Sequence, residues 1–310
     1  MTPEGSRRFL IVTGKGGVGK TTVCAAEALA LAAKGKRVLV AMCHAKERLS
    51  TMLGSGPIGH DVVSVAPNIW AINMDPTKAI EEYGLMTLKV RLVYKAVFDN
   101  KYTRAFLHAV PGLEEWAMLG KAWWHTSETD DTGALKYDVV ILDAPATGHG
   151  LDMLRVPKII VEIVPPGILR RDAETARALF QDPTRCGVVL VTLPEEMPVT
   201  ETIELATALT GELSLPIAKL VVNGVVPPLF SHEERATLLA ADLANGQAET
   251  GALAAITAGQ ARATRENVQA ESLARLSLAS ALTEVPKSFL PLLFEDAARP
   301  EAITELARRV

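Results

Sequence analysis

The sequence predicts an α/β fold, a doubly wound and mostly parallel sheet carrying a helical insertion. Three observations point there. Short apolar runs rich in β-formers alternate with helical stretches, the pattern of strands covered by helices on both faces. The first run ends in a glycine-rich turn that opens a helix, the setting of a phosphate-binding loop. A long stretch, residues 76–132, interrupts the alternation of strands and helices with helical sequence.

Taken in order, the expected strands are RFLIVTG (8–14), RVLVAM (37–42), IWAINMD (69–75), YDVVILD (137–143), GVVLVTL (187–193) and IAKLVVN (217–223). Between the first two lies the helix TTVCAAEALALAAKG, which Gly35 is placed to end. Two segments leave the alternation. Residues 76–132 read as a helical insertion subdomain. Residues 231–280 are rich in Ala, Glu, Gln and Arg without an internal proline and read as a helical pair on the core, with low-complexity coil as the alternative. No repeat is visible, so residues 1–310 read as one domain built around the loop.

Composition limits the partners. With 32 Lys and Arg against 36 Asp and Glu, no basic excess points to nucleic acid. No stretch reaches the roughly 18–20 apolar residues of a membrane span, so stable membrane insertion is not expected. Cys24, Cys43 and Cys186 are far apart and form no CxxC pair, and the N-terminus shows no signal-peptide apolar stretch. Reduced thiols and a cytoplasmic location are the expectation.

The loop TGKGGVGKTT (13–22) fits G-x-x-x-x-G-K-T between strand and helix. Gly14, Gly16, Gly17, Val18 and Gly19 supply the backbone that approaches an anion closely. Lys20 is the phosphate lysine, Thr21 carries the hydroxyl suited to Mg²⁺, and Thr22 continues the helix whose N-terminus faces the phosphates. ATP or GTP with Mg²⁺ is the expected ligand of this P-loop NTPase fold.

One lysine, Lys15, is surplus to that pattern. KGGVGKTT (15–22) resembles the deviant loop of the signature-lysine ATPases, a group that includes arsenite-pump ATPases, tail-anchored-protein targeting ATPases, partition ATPases and nitrogenase iron protein. The resemblance carried by Lys15 implies ATP or ADP as the nucleotide. It also implies that Lys15 reaches across a dimer interface to phosphates held by the other subunit, neutralising charge that develops in phosphoryl transfer. LDAPATGHGLDML (142–154) resembles the second switch of the arsenite-pump and tail-anchored-targeting branch, with Asp143 holding Mg²⁺ through water and Thr147, Gly148 and His149 beginning a helix. AINMDPTKAIEEY (71–83) and PGLEEWAML (111–119) resemble segments flanking that branch's helical subdomain. VVNG (221–224) resembles its adenine loop and FLPLLFED (289–296) the loop closing over the base. By this resemblance Asn223 hydrogen-bonds adenine and Pro291 packs near it, although TEVP ending at Pro286 competes for the second place.

The chain departs from the family in two ways. Where the branch carries a water-positioning aspartate, MCHAKERLS (42–50) places His44. Either an imidazole accepts the proton there, or the loop has lost water-positioning and hydrolysis is slow. Glu47 is a further candidate. The family's zinc-binding or metalloid-binding cysteines are also missing; Cys43 reads as a small buried residue.

Eight of the fifteen aromatics fall between Tyr83 and Trp124, and Tyr94, Phe98, Tyr102 and Phe106 recur every fourth residue, one face of a helix. Ordinary core is one reading of that stripe. A groove for an apolar protein client, as in the targeting branch, is the other. Three functions fit the sequence. One is a Mg-dependent ATPase switching as a homodimer or as a heterodimer with a paralogue. The second is a nucleotide-locked, weakly hydrolysing interaction subunit. The third is a partition-type ATPase, which the T-G-H and the short C-terminal AITELARRV disfavour.

Overall fold

Strands that carry apolar side chains on both faces must be covered on both faces, and the sheet is built that way. The computed structural model describes residues 7–88, 112–241, 250–293 and 298–310. Its eight strands are β1 (Phe9–Thr13), β2 (Val38–Cys43), β3 (Val63–Ala66), β4 (Ile69–Met74), β5 (Val139–Asp143), β6 (Cys186–Thr192), β7 (Ile217–Val225) and β8 (Lys287–Pro291). They lie in the order β3-β4-β2-β5-β1-β6-β7-β8. Every pairing is parallel except β3 with β4. The four strands β1, β2, β5 and β6 are buried at every residue.

The period of two along β1 separates two cores. Phe9 and Ile11 point into one, with Trp116, Met153, Phe180 and Val199; Leu10 and Val12 point into the other, with Val23, Ala26, Met52 and Ile303. The second layer consists of α1 (Lys20–Ala33), α2 (Leu49–Leu53) and α10 (Pro300–Ala307). The first holds α4 (Leu113–His125), α5 (Thr147–Ile163), α6 (Ile168–Gln181) and α7 (Glu196–Gly211). Phe9 stacks on Phe180 at 5.5 Å and locks α6 to the sheet. As expected, α1 stops just before Gly35, whose φ is 78°. All three cysteines are free and buried.

Two of these strands, β3 and β8, are not among those expected from the sequence. VSVA is four residues long and partly exposed, and it turns into β4 through Asn68 in the left-handed region at φ 61°. The segment expected as a loop from 289 to 296 starts inside β8: Ser288 pairs with Val221, Phe289 with Val222 and Pro291 with Val225. A proline fits there because β8 is the outermost strand and Pro291 its last residue.

Within 76–132 the chain forms α3 (Pro76–Leu88) and α4. They are joined by the edge-to-face pair Tyr83–Trp116 at 6.2 Å and by Lys121–Glu82 at 2.6 Å. The stripe Tyr94, Phe98, Tyr102 and Phe106 lies outside the described residues. Residues 231–280 contain α8 (His232–Ala240), which starts with a capping box between Ser231 and Glu234, and α9 (Thr250–Leu278). No helix among the described residues is long and apolar enough to cross a membrane.

Candidate nucleotide site

The chain's lateral order reverses at β1: β5 lies on one side of it and β6 on the other. The carboxyl ends of strands at such a switch point are where open α/β sheets bind ligands. The loop after β1 emerges there. Gly14 has φ 153°, and a Cβ on it would sit 2.2 Å from the Val191 carbonyl oxygen on β6. Gly19 has φ 92°, and a Cβ there would sit 2.4 Å from Asn223 Nδ2. At Gly14 the fixed carbonyl leaves no room for a side chain, and at Gly19 one would be strained by the φ and would push Asn223 aside. Val18 is buried and anchors the middle of the loop in the core.

Helix α1 begins with Gly19 as its N-cap, without a side-chain cap and without an acidic residue in its first turn. The amides of that turn and the positive end of the helix are thereby left for an anion. Lys20 Nζ donates to the carbonyls of Gly14 and Lys15, both at 3.2 Å, so the ammonium lies within the curl of the loop. Burial lowers the Lys20 pKa, and the Asp143 charge opposes that shift.

Thr21 Oγ1 donates to Asp143 Oδ2 at 2.6 Å. Asp143 ends β5 and is 5% exposed. Burial pushes its pKa up, against the Thr21 hydrogen bond, the Lys20 charge and a hydrogen bond from Cys24. A cation between these groups would remove the cost of burying that carboxylate. A hydroxyl paired with a carboxylate at the mouth of a phosphate loop is the oxygen donor set Mg²⁺ takes from proteins that let phosphates and water complete its shell. The residues present therefore fit both the nucleotide and the metal.

The remaining predicted residues are distributed unevenly. Asn223 Nδ2 donates to the Val18 carbonyl at 2.9 Å and so braces the loop from β7. Pro291 ends β8 in register with Val225, and Leu292 N donates to Val225 O at 2.8 Å. The segment after β7 is clamped by α9: Gln269 bonds both backbone groups of Val226, and buried Glu266 accepts from Leu229 N. His149 stands exposed in the first turn of α5.

His44 follows β2 with φ 45°, and its side chain is 67% exposed. Its Nδ1 lies 3.7 Å from Asp75 Oδ2, beyond hydrogen-bond reach. Glu47 is engaged locally, accepting from Ser50 N at 2.8 Å and Ser50 Oγ at 2.6 Å at the start of α2. Asn73, on β4, exchanges two hydrogen bonds with the Ala45 backbone and fixes the loop.

Lys15 is not turned outward. Its Nζ pairs with Glu201 Oε1 on α7 at 2.5 Å. Glu201, Asn73 and Asp75 are not among the site residues that the sequence predicts. No local signal marks Glu201, which lies 186 residues from Lys15.

A doubly wound sheet whose first strand feeds a lysine and a threonine into a helix N-terminus, facing a strand-end aspartate, defines a P-loop NTPase fold. The family profile described as anion-transporting ATPase matches residues 7–165, and the chain belongs to that family. It is 29% identical to ATPase BagA of Mycobacterium tuberculosis over 71% of this chain and 66% of that one. It is 27% identical to the arsenical pump-driving ATPase of Acidiphilium multivorum over 81% of this chain and 44% of the relative. An arsenical pump-driving ATPase of Escherichia coli is also 27% identical, over 86% of this chain and 46% of its own. The chain thus spans less than two thirds of the length of these relatives.

Proposed function

We propose that this chain binds Mg·ATP at residues 14–22 and hydrolyses it, working as a nucleotide-driven switch between separate and paired subunits. The observation that carries the reading is the convergence of Lys20, Thr21 and Asp143 on a loop shaped by Gly14 and Gly19. Lys20 exchanges the Gly14 and Lys15 carbonyls for phosphate oxygens. The first-turn amides of α1 hold the same phosphates. Thr21 and Asp143 hold Mg²⁺, which when bound neutralises charge on the transferring phosphoryl group. Asn223 keeps the loop in place and faces the base, with Pro291 beside it. Lys15 supplies its charge to the nucleotide of a second subunit, identical or paralogous.

On this reading residues 1–310 act as one domain in the cytoplasm. The insertion 76–132 is the surface for a protein client and 231–280 supports the base-binding side. Phosphate release from ATP with and without Mg²⁺ tests the reading, together with Lys15→Ala. That variant should keep ADP affinity and lose ATP-dependent association or turnover; equal loss of ADP binding would mean that Lys15 serves only its own loop.

A second reading, a nucleotide-locked subunit that hardly turns over, is favoured by His44. It is exposed, it is not hydrogen-bonded to Asp75, and Glu47, three residues on, is engaged by Ser50. His44→Asp separates the two readings. A rise in turnover at unchanged ATP affinity supports the locked subunit, whereas a fall supports a working histidine.

A further inference from the structure

The ion pair between Lys15 and Glu201 joins the loop after β1 to the helix after β6. The two strands are neighbours and run parallel, with Thr13 opposite Leu190, so their carboxyl-terminal extensions emerge side by side. Glu201 stands on a firm support. Val199, Thr202, Leu205 and Ala206 of α7 are buried, and Thr200 Oγ1 accepts from Arg275 of α9 at 2.8 Å. Lys15 is held twice, by its ammonium on Glu201 at 2.5 Å and by its carbonyl on Lys20 Nζ at 3.2 Å.

The phosphate lysine thus maintains the backbone that presents Lys15 to Glu201. A phosphate that draws Lys20 Nζ away from the Lys15 carbonyl loosens that presentation. The pair itself is about two-thirds shielded, with side-chain exposures of 28% and 30%. Pairs of this kind are weak enough for a polyanion to displace.

We propose that Glu201 is a positioning residue that keeps the Lys15 ammonium inside its own subunit until nucleotide arrives, so that ATP binding and release of Lys15 are linked. This rests on the nucleotide reading above, and the test separates the two. In the nucleotide-free protein, the Lys15 amine is acylated by a small reagent and quantified by mass spectrometry. Glu201→Gln should raise its labelling about two- to fivefold, the range open to a partly exposed pair, and Glu201→Asp should restore part of the protection.

With Mg·ATP, Glu201→Gln should lower the concentration needed for self-association by a similar factor. It should have no effect in a Lys15→Ala background. Equal Lys15 labelling in wild type and Glu201→Gln overturns the proposal, as does a Glu201→Gln effect of the same size without Lys15. If Mg·ATP fails to bind any variant, the nucleotide reading fails, and with it the linkage to ATP; unequal labelling would then support only the resting ion pair.

Discussion

The loops after β1 and after β2 leave the same edge of the sheet, yet they are built by different means. In the first, the positive-φ positions are glycines, and the strands around it touch it directly: Val191 of β6 lies against Gly14, Asn223 of β7 against Gly19, and Asp143 of β5 meets Thr21. In the second, the positive-φ residue is His44, the side chain faces solvent, and the fixing is done by Asn73 and Glu47 through backbone groups. The first loop is shaped for an anion before one binds. The second is held in place at its backbone while its one distinctive side chain is mostly exposed and only loosely paired with Asp75, an arrangement that leaves room for rearrangement on binding.

The largest effect expected from breaking this contrast is at Gly14. Gly14→Ala must move Val191 or the loop, and should cost about 2–4 kcal/mol by denaturant titration together with nucleotide binding. A loss below about 1 kcal/mol would mean the loop is softer than its contacts indicate.

Asp143→Asn should spare the fold and abolish the metal-dependent part of binding. Because burial raises the Asp143 pKa, its ionised form destabilises the folded chain at neutral pH, and the amide should hold apo stability within about 1 kcal/mol. The Mg²⁺-dependent part of any ATP-induced rise in melting temperature should vanish, as it should for wild type in chelator. Retention of that part would move the metal elsewhere.

In the second loop, Asn73→Ala removes two hydrogen bonds and should cost about 1–2 kcal/mol, with little change in ADP affinity. The smallest effect belongs to His44→Gly. Relief of left-handed strain and the entropy of glycine nearly cancel, so stability should shift by less than about 0.5 kcal/mol. A gain well above that would show that the histidine is held in strain for a purpose.

Much of this was readable in the sequence. Strands buried on both faces announce themselves as apolar runs, and the phosphate loop is local: strand, glycines, Lys20 and Thr21 follow one another, and Asp143 ends another such run. The edges were not readable. VSVA is too short and half exposed, and KSFLP carries a lysine, a serine and a proline that only an outer strand tolerates. The supports of the site were not readable either: Glu201 and Asn73 act through pairings set by strand order, which leaves no trace in spacing, and Asn223 is legible as a base contact but not as the brace on the Val18 carbonyl. The left-handed turn at His44 has no glycine to mark it.

The most direct test is thermal unfolding of wild type and Lys20→Ala in the presence and absence of Mg·ATP. A ligand that binds only the folded chain at one hundred times its dissociation constant adds about 2.7 kcal/mol. Wild type should therefore melt several degrees higher with Mg·ATP, while Lys20→Ala should show almost no shift at the same concentration. An equal shift in both proteins would contradict the assignment of residues 14–22 as the nucleotide site.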